Sequence, residues 1–332
     1  LILTIDDKIQ KKAYDLLGNN KGSIVLMDPK TGEIYAMVSN PTFSPVNLRT
    51  DWKNIVESEE SYLLNRSTMG LYAPGSIFKV ITATAALENS HVSKNYNCQG
   101  SVTIEGYTLR DYGNTSHGNI NLEEALAKSC NVSFAKMGVE IGQSKLKETA
   151  EKYMLNKDIP FDLQTAKSRI LNEKVDKAGL GATAIGQGTT LVTPLNMAMV
   201  ASAIANNGYM VHPTLVKRVE TPEGLIVKES EVSTLSQVTT SGVTDELRDM
   251  MEKVVTQGTG KSARIRNVQV AGKTGTAENE TDKTHAWFIG FAPSNDPKLA
   301  IAVILENNGG TGGSVAAPIA RDLIIDALNT LE

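Results

Sequence analysis

The chain has 332 residues, more than one ordinary domain of about 100–200 residues, so two lobes or one large domain is expected. Hydrophobic residues, at 41%, suffice for a sizeable core; a formal net charge of -4 with both signs mixed, and aromatics at only 5%, imply no nucleic-acid partner. No apolar run approaches the roughly 18–20 residues of a membrane helix, no signal peptide is visible, and two cysteines, Cys98 and Cys130, are too few for a disulfide scaffold.

The chain opens on the strand-like Leu1-Ile2-Leu3-Thr4 without Met, which reads as a fragment of a longer protein. From Asp6 to Leu17, Ile9, Ala13, Leu16 and Leu17 recur at helical spacing. Gly22–Met27 and Glu33–Val38 are apolar runs around the turn Asp28-Pro29-Lys30-Thr31-Gly32, hence a hairpin. Residues 41–70, with Pro41 and Pro45, read as irregular. A helix is expected from about Pro74 to Leu87, and residues 90–120 read as polar loop. Asn121 and Glu124 have capping-box spacing at the start of a helix running to about Val139. Helical patterns continue over Gln143–Met154 and from the cap Thr193-Pro194 to Asn207-Gly208. Thr244 opens a helix that closes at Gly258. Val268–Ala271, His285–Ala292 and Leu299–Leu305 read as strands, and Val315–Leu331 as a closing helix. Strands at both ends and helices between them predict an α/β protein with a helical lobe inserted into a sheet lobe. There is no internal repeat and no low-complexity tract.

Three short motifs carry chemistry, and each occurs more than once. Ser-x-x-Lys is found at Ser76/Lys79, Ser133/Lys136 and Ser144/Lys147; Ser-x-Asn at Ser93/Asn95 and Ser129/Asn131; Lys-Thr-Gly at Lys30 and Lys273. Context selects among them. Ser76 follows Pro74-Gly75 at a helix start, where free N–H groups and the dipole favour a developing oxyanion. Lys79, three residues on, shares its face and can take the serine proton if burial or a neighbouring cation keeps it neutral. Ser133 and Ser144 sit in ordinary helices. Lys30 is the tip of a solvated hairpin. Lys273-Thr274-Gly275-Thr276 lies on a strand or its edge, where a glycine admits close approach of a ligand that adds as an extra strand. Ser129-Cys130-Asn131 is preferred to Ser93-Lys94-Asn95 because a packed helix holds a proton-transferring group more rigidly than a loop.

The order Ser76-x-x-Lys79, Ser129-x-Asn131, Lys273-Thr274-Gly275-Thr276 resembles the penicillin-binding protein transpeptidases. The flanking text agrees: Leu71–Lys79, Ile185-Gly186-Gln187-Gly188 followed by Val192-Thr193-Pro194, and Ala286–Pro293. The resemblance covers nearly the whole chain and is to the class B, monofunctional enzymes. It implies the fold shared with serine β-lactamases: an antiparallel sheet flanked by helices, with a sheet lobe at about 1–65 and 240–332 and an all-helical lobe at about 66–239. It also implies an N-terminal membrane anchor and a pedestal domain outside these residues, and an extracytoplasmic location.

In chemical terms the resemblance implies attack by Ser76 on the D-Ala-D-Ala end of a peptidoglycan stem peptide, with Lys79 as proton acceptor. Ser129 and Lys273 would move the proton to the leaving amine, Asn131 would hold the substrate amide, and Thr274, Gly275 and Thr276 would form the binding strand. No cofactor is needed. β-Lactams would acylate Ser76, and a membrane glycosyltransferase is the partner expected. The rival readings are a serine β-lactamase, a β-lactam-sensing domain and a non-catalytic cell-wall scaffold. The β-lactamase reading lacks its water activator: the pattern Glu-x-x-Leu-Asn would need Glu where Lys152 precedes Leu155-Asn156. The intact motif set argues against a purely structural role.

The segment 98–130 holds Cys98, Asp111, His117 and Cys130, and some relatives carry cysteines and a histidine around this stretch. Thiolate, imidazole and carboxylate suit a structural zinc. A disulfide, a packed cysteine in a helix and a simple His-Gly loop are the competing readings. His91, His212 and His285 read as surface or core residues.

Overall fold

The apolar runs of the two chain ends pair into one sheet. The computed structural model describes residues 1–279 and 282–331. β1 (Ile2–Leu3) leads into α1 (Asp7–Leu17), whose first amides are capped by the Asp6 carboxylate. β2 (Gly22–Met27) and β3 (Ile34–Asn40) form the expected hairpin, with Asp28 Oδ1 accepting from the Lys30 and Thr31 amides in the turn. The segment read as irregular contains α2 (Leu48–Glu57) and the short α3 (Arg66–Met69). α2 buries only Ile55, so it has no broad apolar stripe to betray it.

A 3₁₀ turn over Gly75–Phe78 precedes α4 (Lys79–Leu87), so the α-helix proper starts later than the sequence suggests. Residues 90–120 are not simple loop. They hold β4 (Asn95–Cys98), β5 (Ser101–Ile104), β6 (Tyr107–Arg110) and β7 (Gly118–Asn121), paired β4–β7 and β5–β6. Strands of four mostly polar residues carry too short an alternation to be read. The Asn121/Glu124 capping box is present, but the helix it opens, α5 (Leu122–Ala127), stops early. Ser129 adopts φ 60°, the left-handed region, which no helix interior accommodates, and Cys130 caps a new helix, α6 (Asn131–Ile141). One expected helix is therefore two, and Ser129 sits in the joint rather than within a helix.

α7 (Gln143–Lys152), α8 (Lys177–Ala184) and α9 (Pro194–Ala205) follow, the last with Thr193 as cap and proline at its first position. The strands β8 (Tyr209–Val211), β9 (Val216–Glu220), β10 (Ile226–Glu229) and β11 (Thr234–Gln237) form two small peripheral sheets, β8–β11 and β1–β9–β10. The middle of the chain thus adds short strands to the helices expected there. α10 (Ser241–Thr256) begins before Thr244 because Thr240 is its cap. β12 (Ala271–Ala277), β13 (His285–Ala292), β14 (Leu299–Leu305), a π turn over Gly312–Ala316 and α11 (Ala317–Leu331) complete the fold.

The main sheet has the order β12-β13-β14-β2-β3 and is antiparallel throughout. β2, β12, β13 and β14 are buried on both faces, β3 on one, with side chains alternating between the faces. Ala300, Ala302, Ile304, Val25 and Met27 join the core shared with α4, α6 and α9, all of whose residues are buried along α9. Ile301, Val303, Leu305, Ile24 and Leu26 face the other way, against Ile9, Ala13 and Leu17 of α1 and Leu323, Ile324 and Ala327 of α11. This is the α/β, antiparallel-sheet architecture expected. Its consequence for chemistry is that β12, carrying Lys273, is left as an edge strand facing the helices.

Candidate active site

Ser76 is held by backbone packed on backbone. Gly75 has φ +53°, and its N–H donates to the Gly186 carbonyl at 2.9 Å. A Cβ on Gly75 would lie 2.8 Å from the Thr276 carbonyl oxygen, one on Gly186 2.0 Å from the Gly75 oxygen, and one on Gly275 2.9 Å from the Pro74 oxygen. Only glycine lets these three segments approach so closely. From β13, the Trp287 indole donates to the Ala73 carbonyl at 3.0 Å. The serine is thereby set against β12. In the 3₁₀ turn that follows, residues three apart eclipse one another, so Ser76 and Lys79 stand on one side. Ser76 is half-buried and Lys79 fully buried.

Both buried lysines converge on Ser129. Lys79 Nζ donates to the Ser129 carbonyl at 2.5 Å and to Asn131 Oδ1 at 2.7 Å, and lies 3.3 Å from Ser129 Oγ. Lys273 Nζ donates to Ser129 Oγ at 2.9 Å and to the Thr274 carbonyl at 2.9 Å. The Phe134 ring lies 5.6 Å from Lys79 Nζ. Burial pushes Lys79 down to about 8, against the opposing pull of Asp111 and Cys130. A drop of that size costs the ammonium on the order of 3 kcal/mol and leaves about a tenth of Lys79 neutral at pH 7. Burial, and then the neighbouring Lys79 charge, hold Lys273 well below the ordinary lysine range. A neutral amine beside a serine hydroxyl can accept its proton.

Asn131 is fixed from both sides. Its Nδ2 donates to the Arg110 carbonyl at 2.9 Å, and its N–H donates to Asp111 Oδ1. A second hydrogen on Nδ2 and a second lone pair on Oδ1 remain for a ligand. On β12, Thr276 Oγ1 accepts from the Gly312 N–H at 3.3 Å, and Thr274 Oγ1 lies 2.5 Å from Thr259 Oγ1. Hydrogen bonds thus gather Lys79, Ser129, Asn131 and Lys273, and close backbone approach sets the Ser76 turn against Gly275 and Thr276 of β12. The competing copies lie elsewhere. Ser133 is buried against Cys130, Ser144 is exposed on α7, and Lys30 pairs at the surface with Asp296. Glu151, one position from the β-lactamase pattern, bonds Asn156 and faces Lys147. Sequence reasoning gave no role to Gly186 or Trp287, although both lie in the flanking text, and Thr259 carried no signal at all.

The four residues of 98–130 also meet. Their ligand atoms all lie within 4.8 Å of one another. Asp111 Oδ2 accepts from the Cys98 thiol at 2.9 Å and from the Cys130 thiol at 3.2 Å, and His117 Nδ1 lies 3.5 Å from both Asp111 Oδ2 and Cys98 Sγ. Both cysteines are free and buried. Two sulfurs, an imidazole nitrogen and a carboxylate oxygen at these spacings fit a tetrahedral zinc. Burial pushes the Cys130 thiol up to about 12, so a metal entering here must displace its proton.

The family model for the penicillin-binding protein transpeptidase domain matches residues 22–325. The peptidoglycan D,D-transpeptidase PbpA of Mycolicibacterium smegmatis is 37% identical over an alignment that covers 98% of this chain and 72% of that one. The D,D-transpeptidase domain of a peptidoglycan glycosyltransferase from Eggerthella lenta superposes with a TM-score of 0.94 at 33% identity, covering 99% and 82% of the two chains. Penicillin-binding protein A from M. tuberculosis, solved as a penicillin G acyl-enzyme, superposes with a TM-score of 0.90 at 33% identity, covering 98% and 80%. Among the described residues, no helix is long and apolar enough to cross a membrane.

Proposed function

The chain belongs to the penicillin-binding protein transpeptidases, as a class B member, and from that premise we propose that it cross-links peptidoglycan stem peptides through an acyl-enzyme on Ser76. The observation that carries the proposal is the Ser129 hydroxyl shared by two buried lysines beside the Ser76 turn. Lys79 takes the Ser76 proton as Oγ attacks the penultimate D-Ala carbonyl. The N–H groups of Ser76 and Thr276 receive the oxyanion, an interaction worth about 3–4 kcal/mol in such sites. As the C–N bond breaks, the proton passes through Ser129, assisted by Lys273, to the leaving D-Ala amine. Asn131 orients Lys79 and offers its free amide hydrogen to the substrate. Thr274 and Thr276 bind the terminal carboxylate beside Gly275. An amine from a second stem peptide then attacks the ester, restoring Ser76. No cofactor enters these steps.

The cleft lies between a sheet lobe, about 1–65 and 240–332, and a second lobe, about 66–239. The substrate places the enzyme on the outer face of the cell membrane, held by an anchor outside these residues and supplied with glycan by a membrane glycosyltransferase. β-Lactams enter the same route and leave slowly. Incubation with a fluorescent penicillin, beside Ser76→Ala, tests this by denaturing gel and intact mass. A Ser76-dependent adduct lasting many minutes to hours is expected. Catalytic consumption of penicillin without a lasting adduct would move the assignment to a β-lactamase, and folded protein that forms none would move it to a scaffold.

A second reading rests on the converging donors: Cys98, Asp111, His117 and Cys130 hold a structural zinc. The ion would tie β4, β6 and β7 to the joint that carries Ser129 and would supply charge neutralisation rather than chemistry on the substrate. Metal analysis of the purified protein is expected to find near-stoichiometric zinc, and its absence would overturn this reading.

A further inference from the structure

Thr259 belongs to none of the motifs but touches the elements that carry two of them. The Gly258-Thr259-Gly260 turn closes α10 and is wedged into the cleft wall. The Thr259 N–H donates to the Ala127 carbonyl at 3.2 Å, at the end of α5 where the chain turns toward Ser129. A Cβ on Gly258 would lie 2.1 Å from that same oxygen, and one on Gly313 2.4 Å from the Thr259 oxygen. So fixed, Thr259 places its Oγ1 2.5 Å from Thr274 Oγ1. Thr274 is buried, whereas Thr259 is exposed.

A hydroxyl has one hydrogen, so at this separation one threonine donates and the other accepts. The second outward threonine, Thr276, already accepts from the Gly312 N–H behind it, and its own hydrogen is free for a ligand. If Thr259 donates, Thr274 is placed in the same state, and both β12 hydroxyls present hydrogens to a carboxylate. If Thr274 donated instead, it would turn a lone pair toward the anion. We infer that Thr259 is a positioning residue for carboxylate recognition: its O–H donates to Thr274 Oγ1 and directs the Thr274 O–H at the carboxylate of the incoming D-Ala-D-Ala peptide or β-lactam. This rests on the transpeptidase assignment above and extends it to a residue outside the motifs.

The test compares second-order acylation rates for benzylpenicillin and for its methyl ester, which lacks the anion. Thr259→Val keeps the shape and removes the hydroxyl. It is expected to slow acylation by the acid about tenfold, the low end for a hydrogen bond to a charged group, and by the ester less than about twofold. The acid-to-ester ratio within one preparation is independent of how much protein folds. Thr259→Ser is expected to recover most of the loss. In a Thr274→Val background, Thr259→Val should cost nothing more, because its effect passes through the Thr274 hydroxyl. Acid acylation that is unchanged or faster in Thr259→Val, an equal loss on acid and ester, failure of Thr259→Ser to recover, or full additivity with Thr274→Val would each overturn the inference. If the wild-type chain forms no Ser76 adduct with either compound, the transpeptidase assignment itself fails and takes this role with it.

Discussion

The two walls of the cleft are held by opposite means. On the Ser76 side, backbone meets backbone through Gly75, Gly186 and Gly275, with no side chain between them. On the Ser129 side, the joint between α5 and α6 is held by side chains. Lys79 and Lys273 grip it at Ser129, Lys79 also at Asn131, and the Asp111 carboxylate grips the Asn131 amide from behind. The first wall is rigid because nothing there can change state. The second is built from groups whose charge can change. Added bulk should therefore act on the first wall, and protons and metal on the second.

The largest effect expected is from Lys79→Ala. Loss of a positioned general base costs typically 10²–10⁴-fold, and about a thousandfold slower acylation of Ser76 by benzylpenicillin is expected here. Because Lys79 also holds the Ser129 carbonyl and Asn131 Oδ1, its removal should lower the melting temperature too, by less than the lost bonds alone because burial disfavours its ammonium. The counterpart on the first wall is Gly186→Ala. Its Cβ would sit 2.0 Å from the Gly75 oxygen, so the Ser76 turn must move. A misplacement of about 1 Å can cost a hundredfold in rate, and a lower melting temperature should accompany it. Stopped-flow acylation and thermal unfolding of the two variants read both quantities. A Gly186→Ala protein with normal rate and stability would break the comparison.

The first wall was legible in the sequence at Gly75 and Gly275 but not at Gly186, and the second was less legible still. Glycine before a helix, and the glycine of Lys-Thr-Gly on a strand, announce close approach because no other residue permits it. Caps are equally local, and Asp6, Asn121 with Glu124, and Thr193 each do what their spacing predicts. The Ser129 joint is different. The helical pattern runs on to Val139, and nothing in Lys128-Ser129-Cys130 marks a serine with φ 60°. That conformation depends on Asp111, distant in sequence, holding the Asn131 amide, and on two lysines holding Ser129. Long-range polar contacts leave no periodicity. β4 to β7 were invisible because four-residue strands carry too short an alternation, although they and their flanks bring Cys98, Asp111 and His117 to the joint.

A smaller effect separates the walls by pH. In metal-free protein, Lys79 must lose its proton to act and holds it up to about pH 8. Acylation should therefore rise about tenfold per pH unit from pH 6 toward 8 and level off above it. The sign follows from the base being the deprotonated form. Gly186→Ala should lower this profile without shifting it, since the glycine contacts carry no proton. A flat profile between pH 6 and 9 would remove Lys79 from the role.

The last effect concerns the metal, is read in stability rather than rate, and tests whether the second wall is held by more than hydrogen bonds. A zinc present at about a thousand times its dissociation constant stabilises a fold by about 4 kcal/mol. For a chain this long, that corresponds to roughly 5–10 °C in melting temperature. Chelation should remove that margin from the wild type, while Gly186→Ala should lose the same margin on top of its own deficit. Cys98→Ser separates metal from packing. Cys98 lies at the end of β4, bonds Asp111 rather than either lysine, and is nearly isosteric with serine. If zinc holds the joint, this variant should melt where the chelated wild type melts and be insensitive to chelator. If the two thiol bonds to Asp111 suffice, the serine hydroxyl will replace one of them and the melting temperature will not move. Only the first outcome makes the joint a metal-braced element, because only there does a residue that touches neither lysine decide how firmly Ser129 is held.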